Sequence, residues 1–186
     1  MFRSIRPLTL IGFVLMSLEV AASPLHDAVL ARDSHTALRL ISQGAKVNEA
    51  DSLGRTPLLL AVEKGDLASA RLLLEAGADI NAQAANKDTP WLLAGASGRT
   101  EILKLMIPKG PDLTIRNRFG GNALIPACER GHVETVKLLL TTQIDIDHVN
   151  DLGWTCLLEA VILGDGGPAH REIVRMLLEA GANPDL

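Results

Sequence analysis

The residues able to carry out chemistry are few, and their spacing does not assemble them. Five histidines, His26, His35, His132, His148 and His170, could serve as bases or metal ligands, but no two stand at a metal-type interval and no Cys pair sits at ligand distance in sequence. The G-x-S-x-G turn that exposes a nucleophilic serine and the H-E-x-x-H zinc signature are both missing. Gly164-Asp-Gly-Gly could cradle a phosphate only if a strand preceded it and a G-K-[ST] followed; neither does, so it reads as a plain loop. No catalytic residue, cofactor or metal is predicted, and the chain is read as a non-enzyme.

What the sequence does carry is a period. Ser23-Pro-Leu-His-Asp-Ala, Thr56-Pro-Leu-Leu-Leu-Ala, Thr89-Pro-Trp-Leu-Leu-Ala, Asn122-Ala-Leu-Ile-Pro-Ala and Thr155-Cys-Leu-Leu-Glu-Ala start 33 residues apart, and Gly65, Gly98, Gly131 and Gly164 keep the same beat. Thr56 predicts an N-cap, Pro57 the first helical position, and Gly65 the end of a first helix. Leu67, Ala70, Leu73 and Leu74 then share one face of a second helix, echoed by Val133, Val136, Leu139 and Leu140, and Gly77 predicts a left-handed cap. Two short helices cannot enclose a core, so their apolar faces must be buried between neighbouring units.

Asp51-Ser-Leu-Gly-Arg-Thr-Pro-Leu, Glu63-Lys-Gly-Asp and Leu72-Leu-Leu-Glu-Ala-Gly-Ala-Asp-Ile-Asn81 resemble one complete ankyrin repeat, with related closing phrases at Gly44–Asn48, Gly110–Thr114, Ile144–Asp147 and Gly181–Asp185. The resemblance covers residues 23–186 and implies an all-α, curved solenoid of about five turn-helix-helix units near 23–50, 51–83, 84–116, 117–149 and 150–186. Three departures stand out. Only His26 fills the family's histidine place, held elsewhere by Leu59, Leu92, Ile125 and Leu158. Lys87 replaces the turn glycine found at Gly54, Gly120 and Gly153, which predicts an altered third turn. The fifth unit carries five extra residues, read as a longer loop over 164–170, while Pro126 is tolerable so close to its cap Asn122.

Composition bounds the rest. A single domain of 186 residues with 3% aromatics suits a solenoid packed with Ala and Leu. A net charge of −4 offers no basic stripe, so nucleic acid is excluded as a partner, and no apolar run approaches the ~18 residues of a membrane span. Ahead of the repeats, Arg3 and Arg6 precede an apolar stretch from Leu8 to Leu18, with small residues at Val20 and Ala22. This order predicts a signal peptide over 1–22, cleaved between Ala22 and Ser23, and hence an exported protein, periplasmic or secreted; the alternative is a cytoplasmic protein started at Met16. With about 8–10 Å between stacked helices and about 1.5 Å rise per residue, Cys128 and Cys156 are expected about 11–13 Å apart, beyond the ~7 Å limit of a disulfide. Two free buried thiols are the expectation.

The resemblance implies a concave face made by the turn tips and the first helices. By position Arg55, Asp88, Arg118, Phe119, Arg130, Leu152 and Trp154 fall on it, concentrated in the fourth and fifth repeats, with Phe119 and Trp154 as anchors. Asp27 and Glu159, at equivalent places in their first helices, lack a catalytic companion and read as solvated carboxylates. The function predicted is a protein-interaction module, the alternative an inhibitor, immunity or accessory protein for an enzyme. Val161, Val174, Leu177 and Leu178 at the C-terminal edge predict self-association.

Overall fold

A computed structural model describes residues 22–186. Five helix pairs follow in chain order: α1 (Pro24–Leu30) with α2 (Ser34–Ser42), α3 (Pro57–Lys64) with α4 (Leu67–Glu75), α5 (Pro90–Ala96) with α6 (Thr100–Met106), α7 (Leu124–Glu129) with α8 (Val133–Leu139), and α9 (Cys156–Ile162) with α10 (Pro168–Glu179). The odd-numbered helices stack into an inner layer and the even-numbered into an outer one, and each helix also packs on its own pair mate. No strand occurs among the described residues. The predicted all-α solenoid of five repeats is what forms.

The local signals act as their chemistry dictates. Thr56, Thr89 and Thr155 accept the backbone N–H groups of Leu59, Leu92 and Leu158 at 3.1–3.3 Å, satisfying helix N-termini that would otherwise be orphaned. Asn122 does the same for Leu124 and Ile125, and Pro126 costs α7 no hydrogen bond because it stands in the first turn, where its N–H would have no intrahelical partner. Gly77 follows α4 at φ 86°, and the Ala78 N–H closes back on the Leu73 carbonyl at 2.9 Å. Sandwiched between α1, α5 and α4, helix α3 is buried from Pro57 to Val62, so its continuous apolar run needs no amphipathic pattern. In α4, Ala70, Leu73 and Leu74 are buried as the spacing predicts, but Leu67 at the first position is exposed. Leu177 is fully buried against the stack, Val174 half-buried and Leu178 exposed, so only part of the predicted C-terminal edge is open.

Three expectations require correction. The third turn keeps the standard backbone: Lys87 adopts φ 65° and its N–H reaches the Ala84 carbonyl at 2.9 Å, as Gly54, Gly120 and Gly153 reach Asp51, Asn117 and Asn150. What changes there is the side-chain bracing described below. The insertion loop is shorter than 164–170, because Pro168 takes the first helical position and brings Ala169 and His170 into α10.

The third correction concerns the thiols. Cys128 and Cys156 are joined by a disulfide, with Cα atoms 5.6 Å apart. The expected separation assumed inner helices in register, whereas the late part of one inner helix abuts the start of the next. The equivalent pair one repeat earlier demonstrates that offset, since a Cβ added to Gly95 would lie 2.8 Å from the Ala123 Cβ. The stagger therefore belongs to the stack, and the bridge exploits it.

A concave face with two clefts

Each tip is braced by one side chain. Asp51, Asn117 and Asn150 each accept two backbone N–H groups at 2.9–3.0 Å, from Leu53 and Arg55, from Phe119 and Gly121, and from Leu152 and Trp154. Ala84 cannot do this. Asn86 takes over, accepting from the Asp88 N–H at 3.0 Å and donating to the Asp88 carboxylate at 2.8 Å. Neighbouring tips are joined by the Ala85 N–H to the Leu53 carbonyl and the Asp151 N–H to the Phe119 carbonyl. The bracing leaves Leu53, Phe119 and Leu152 pointing outward at 54%, 48% and 67% exposure, so these apolar side chains do not spend themselves on turn-to-turn packing.

Two clefts of the same design open between tips and inner helices. One, lined by Leu53, Arg55, Leu59, Glu63, Asp88 and Leu93, lies between the second and third repeats. The other, lined by Phe119, Ile125, Pro126, Glu129, Leu152, Glu159 and Leu163, lies between the fourth and fifth. In the first, Arg55 pairs with Asp51 at 2.8 Å and stands 3.7 Å from Glu63. Burial alone would raise the Asp51 carboxyl, but its hydrogen bonds from Arg55 outweigh burial and hold it below the usual range. Asp88 goes the other way: burial lifts its pKa despite Arg118, whose guanidinium lies 4.0 Å off.

Arg118 also sits over the Phe119 ring, 4.6 Å from its centre, which fixes the exposed aromatic. Phe119 and Leu152 are thus brought into one cleft, while Arg55 and Asp88 share the other. Trp154 is half-buried and lines neither. Arg130 folds back to donate to the Ala96 carbonyl, tethering two inner helices. Ala22 is exposed, and the Ser23 hydroxyl lies 2.8 Å from His26 Nδ1; residues 1–21, which carry the rest of the signal pattern, lie outside the described residues. Asp27 is exposed as predicted, whereas Glu159 is buried at 7% exposure rather than solvated. Burial and the neighbouring Glu129 carboxylate both push the Glu159 pKa up.

Two histidines, His26 and His170, tie neighbouring repeats together. His26 Nε2–H donates to the Arg55 carbonyl in the next repeat at 3.0 Å, leaving Nδ1 to accept from Ser23. A device that the sequence did not reveal serves the later repeats. Arg99 donates to the Glu63 carbonyl at 3.4 Å, Arg130 to the Ala96 carbonyl, and His170 Nε2–H to the Glu129 carbonyl at 3.0 Å. Each basic side chain thereby caps the C-terminal end of the preceding inner helix, where unsatisfied carbonyls favour positive charge. His170 stands five residues off the period, so the insertion returns the chain to register at this cap. The readable signal was a basic residue directly after two of the four repeat glycines, Arg99 after Gly98 and His132 after Gly131.

Comparison with known proteins agrees with this architecture. A crystal structure of an ankyrin repeat domain from Acinetobacter baumannii AYE superposes with a TM-score of 0.85 at 47% identity, covering 88% of this chain and 83% of that one. The crystal structure of EF0377, an ankyrin repeat protein, gives 0.83 at 46% identity, covering 86% and 81%. An Escherichia coli (strain K12) ankyrin repeat protein, YahD, is 59% identical over 34 residues, which is 18% of this chain and only 17% of that relative's length. The family model for ankyrin repeats in three copies matches residues 13–84 and 91–186, and with more than half of its length so matched the chain belongs to the ankyrin-repeat family.

Proposed function

We propose that this chain is a non-catalytic module that holds a protein partner on the face between its tips and inner helices, centred on the fourth and fifth repeats. Ankyrin repeats are in general protein-interaction modules. The observation that carries the finer reading is the pairing of Phe119 and Leu152, half and two-thirds exposed, on the rim of one cleft. An aromatic ring already held by Arg118 loses little freedom on binding, which suits it as an anchor. A photo-crosslinking residue at Leu152, compared with one at exposed Leu38 on α2, tests this: capture of one defined protein from position 152 alone supports the face, and equal capture from both sites refutes it.

Export remains part of the proposal. The Arg, apolar, small-residue order before Ser23 motivates it, and a buried disulfide is a bond that oxidising compartments preserve. Intact mass of the native protein checks it, with a chain beginning at Ser23 expected and one beginning at Met1 or Met16 counting against it. A second surface supports self-association as well: Val161, Ile162 and Leu178 are exposed around the last helix pair. Sedimentation at rising concentration distinguishes a self-associating chain from one that stays monomeric.

A further inference from the structure

We propose that the cleft between the fourth and fifth tips receives a lysine or arginine side chain of the partner protein, clasped between Glu129 and Glu159. The proposal rests on the concave face being the binding surface and names what that surface selects.

Its basis is a comparison between the two clefts, which occupy equivalent places 66 residues apart. In the earlier cleft the carboxylate of Glu63 has its own cation, Arg55, at 3.7 Å, and the inner-helix wall is Leu93. In the later cleft Gly121 stands in the place of Arg55, and Glu159 in the place of Leu93. The cation is absent, and the second carboxylate stands on the inner-helix wall instead of on the tip, where the earlier cleft has Asp88 with Arg118 beside it. Among the described residues Glu129 forms no ion pair, and Arg118 is committed to Phe119 and Asp88.

Glu159 is the second, independent observation. It is 93% buried, its Oε1 meets only the Asn150 amide at 3.5 Å, and its Oε2 has no hydrogen-bond partner. A buried carboxylate oxygen left unpaired costs free energy that a charged donor would recover. The cleft holds about 230 Å³, below the ~300 Å³ at which small-molecule pockets begin, so it suits one inserted side chain rather than a free ligand of drug size. Phe119, Pro126 and Leu163 offer apolar walls for a methylene stem, with the carboxylates at its charged head.

Panning a displayed random-peptide library on the oxidised full chain tests the assignment. The expected binders carry a lysine or arginine whose replacement by alanine abolishes binding, and they lose about ten- to a hundredfold in affinity on Glu159→Gln. Glu129→Gln, at an exposed position where folding is not at risk, should weaken them in the same direction. Melting temperature verifies that both variants fold; Glu159→Gln should hold or raise it, since it removes a buried unpaired charge. Binders that need Phe119 and Leu152 but tolerate both glutamine variants, or lack a required basic residue, overturn the carboxylate clasp while leaving the concave face intact. Binders indifferent to Phe119→Ala and Leu152→Ala, or a library that yields none, refute the face itself and the clasp with it.

Discussion

At position 170 a histidine five residues off the repeat period reaches the same place as His132, and the two respond to pH in opposite ways. Both ring nitrogens of His170 face acceptors, the Glu129 carbonyl at 3.0 Å and the Asp165 carboxylate at 2.8 Å, which hold its proton above the ordinary histidine value. Its stabilisation is therefore complete below about pH 6.5 and is lost as pH rises through the higher folded value. His132 is pushed down by burial and by Arg130, so its share is present above about pH 6.5 and is lost as pH falls. Denaturant midpoints should show His170→Gln losing more stability at about pH 5.5 than at about pH 8, and His132→Gln the reverse. Lys87 gives a second prediction. Its left-handed backbone costs about 1–2 kcal/mol, partly balanced by the ~0.4–1 kcal/mol of extra unfolded-state freedom that glycine brings, so Lys87→Gly should stabilise by up to about 1 kcal/mol in urea unfolding.

Among elements, the helices were legible and their mutual stagger was not. Caps, prolines and apolar spacing are local signals, which is why Thr56, Pro57 and Gly65 bound α3 where the sequence predicts. The meeting of Cys128 with Cys156 depends on how α9 slides along α7, a property of packing that no single repeat encodes. The exposure of Phe119 and Leu152 could be placed on the tips, but not the burial of Glu159, because five repeats give its place four different residues and its surroundings come from the neighbouring repeat. Trp154 is half-buried and lines neither cleft, although Arg55 and Asp88 at the equivalent place line the earlier one, so its place along the chain did not fix its surroundings. The disulfide spans 28 residues, so reduction should lower stability by about 3–4 kcal/mol through the freed unfolded chain. Paired unfolding curves with and without reductant read this directly, and coincident curves would mean the bridge contributes nothing.

For the whole molecule, stability and recognition are carried by different residues. The inner and outer layers bury Trp91, Leu103, Met106 and Leu124 between repeats, while the tips spend exposed apolar surface that the fold does not need. A mutation on the rim should thus change binding without changing folding, and one in the half-buried ring of Trp154 should do the opposite. The most direct measurement is partner affinity beside melting temperature for Phe119→Ala, Leu152→Ala and Trp154→Ala, using the protein crosslinked from position 152. Binding through the concave face predicts a loss of about 2 kcal/mol or more in affinity for the first two at unchanged melting temperature, with Trp154→Ala melting lower. Unchanged affinity for Phe119→Ala and Leu152→Ala, with melting temperature lowered instead, would contradict it.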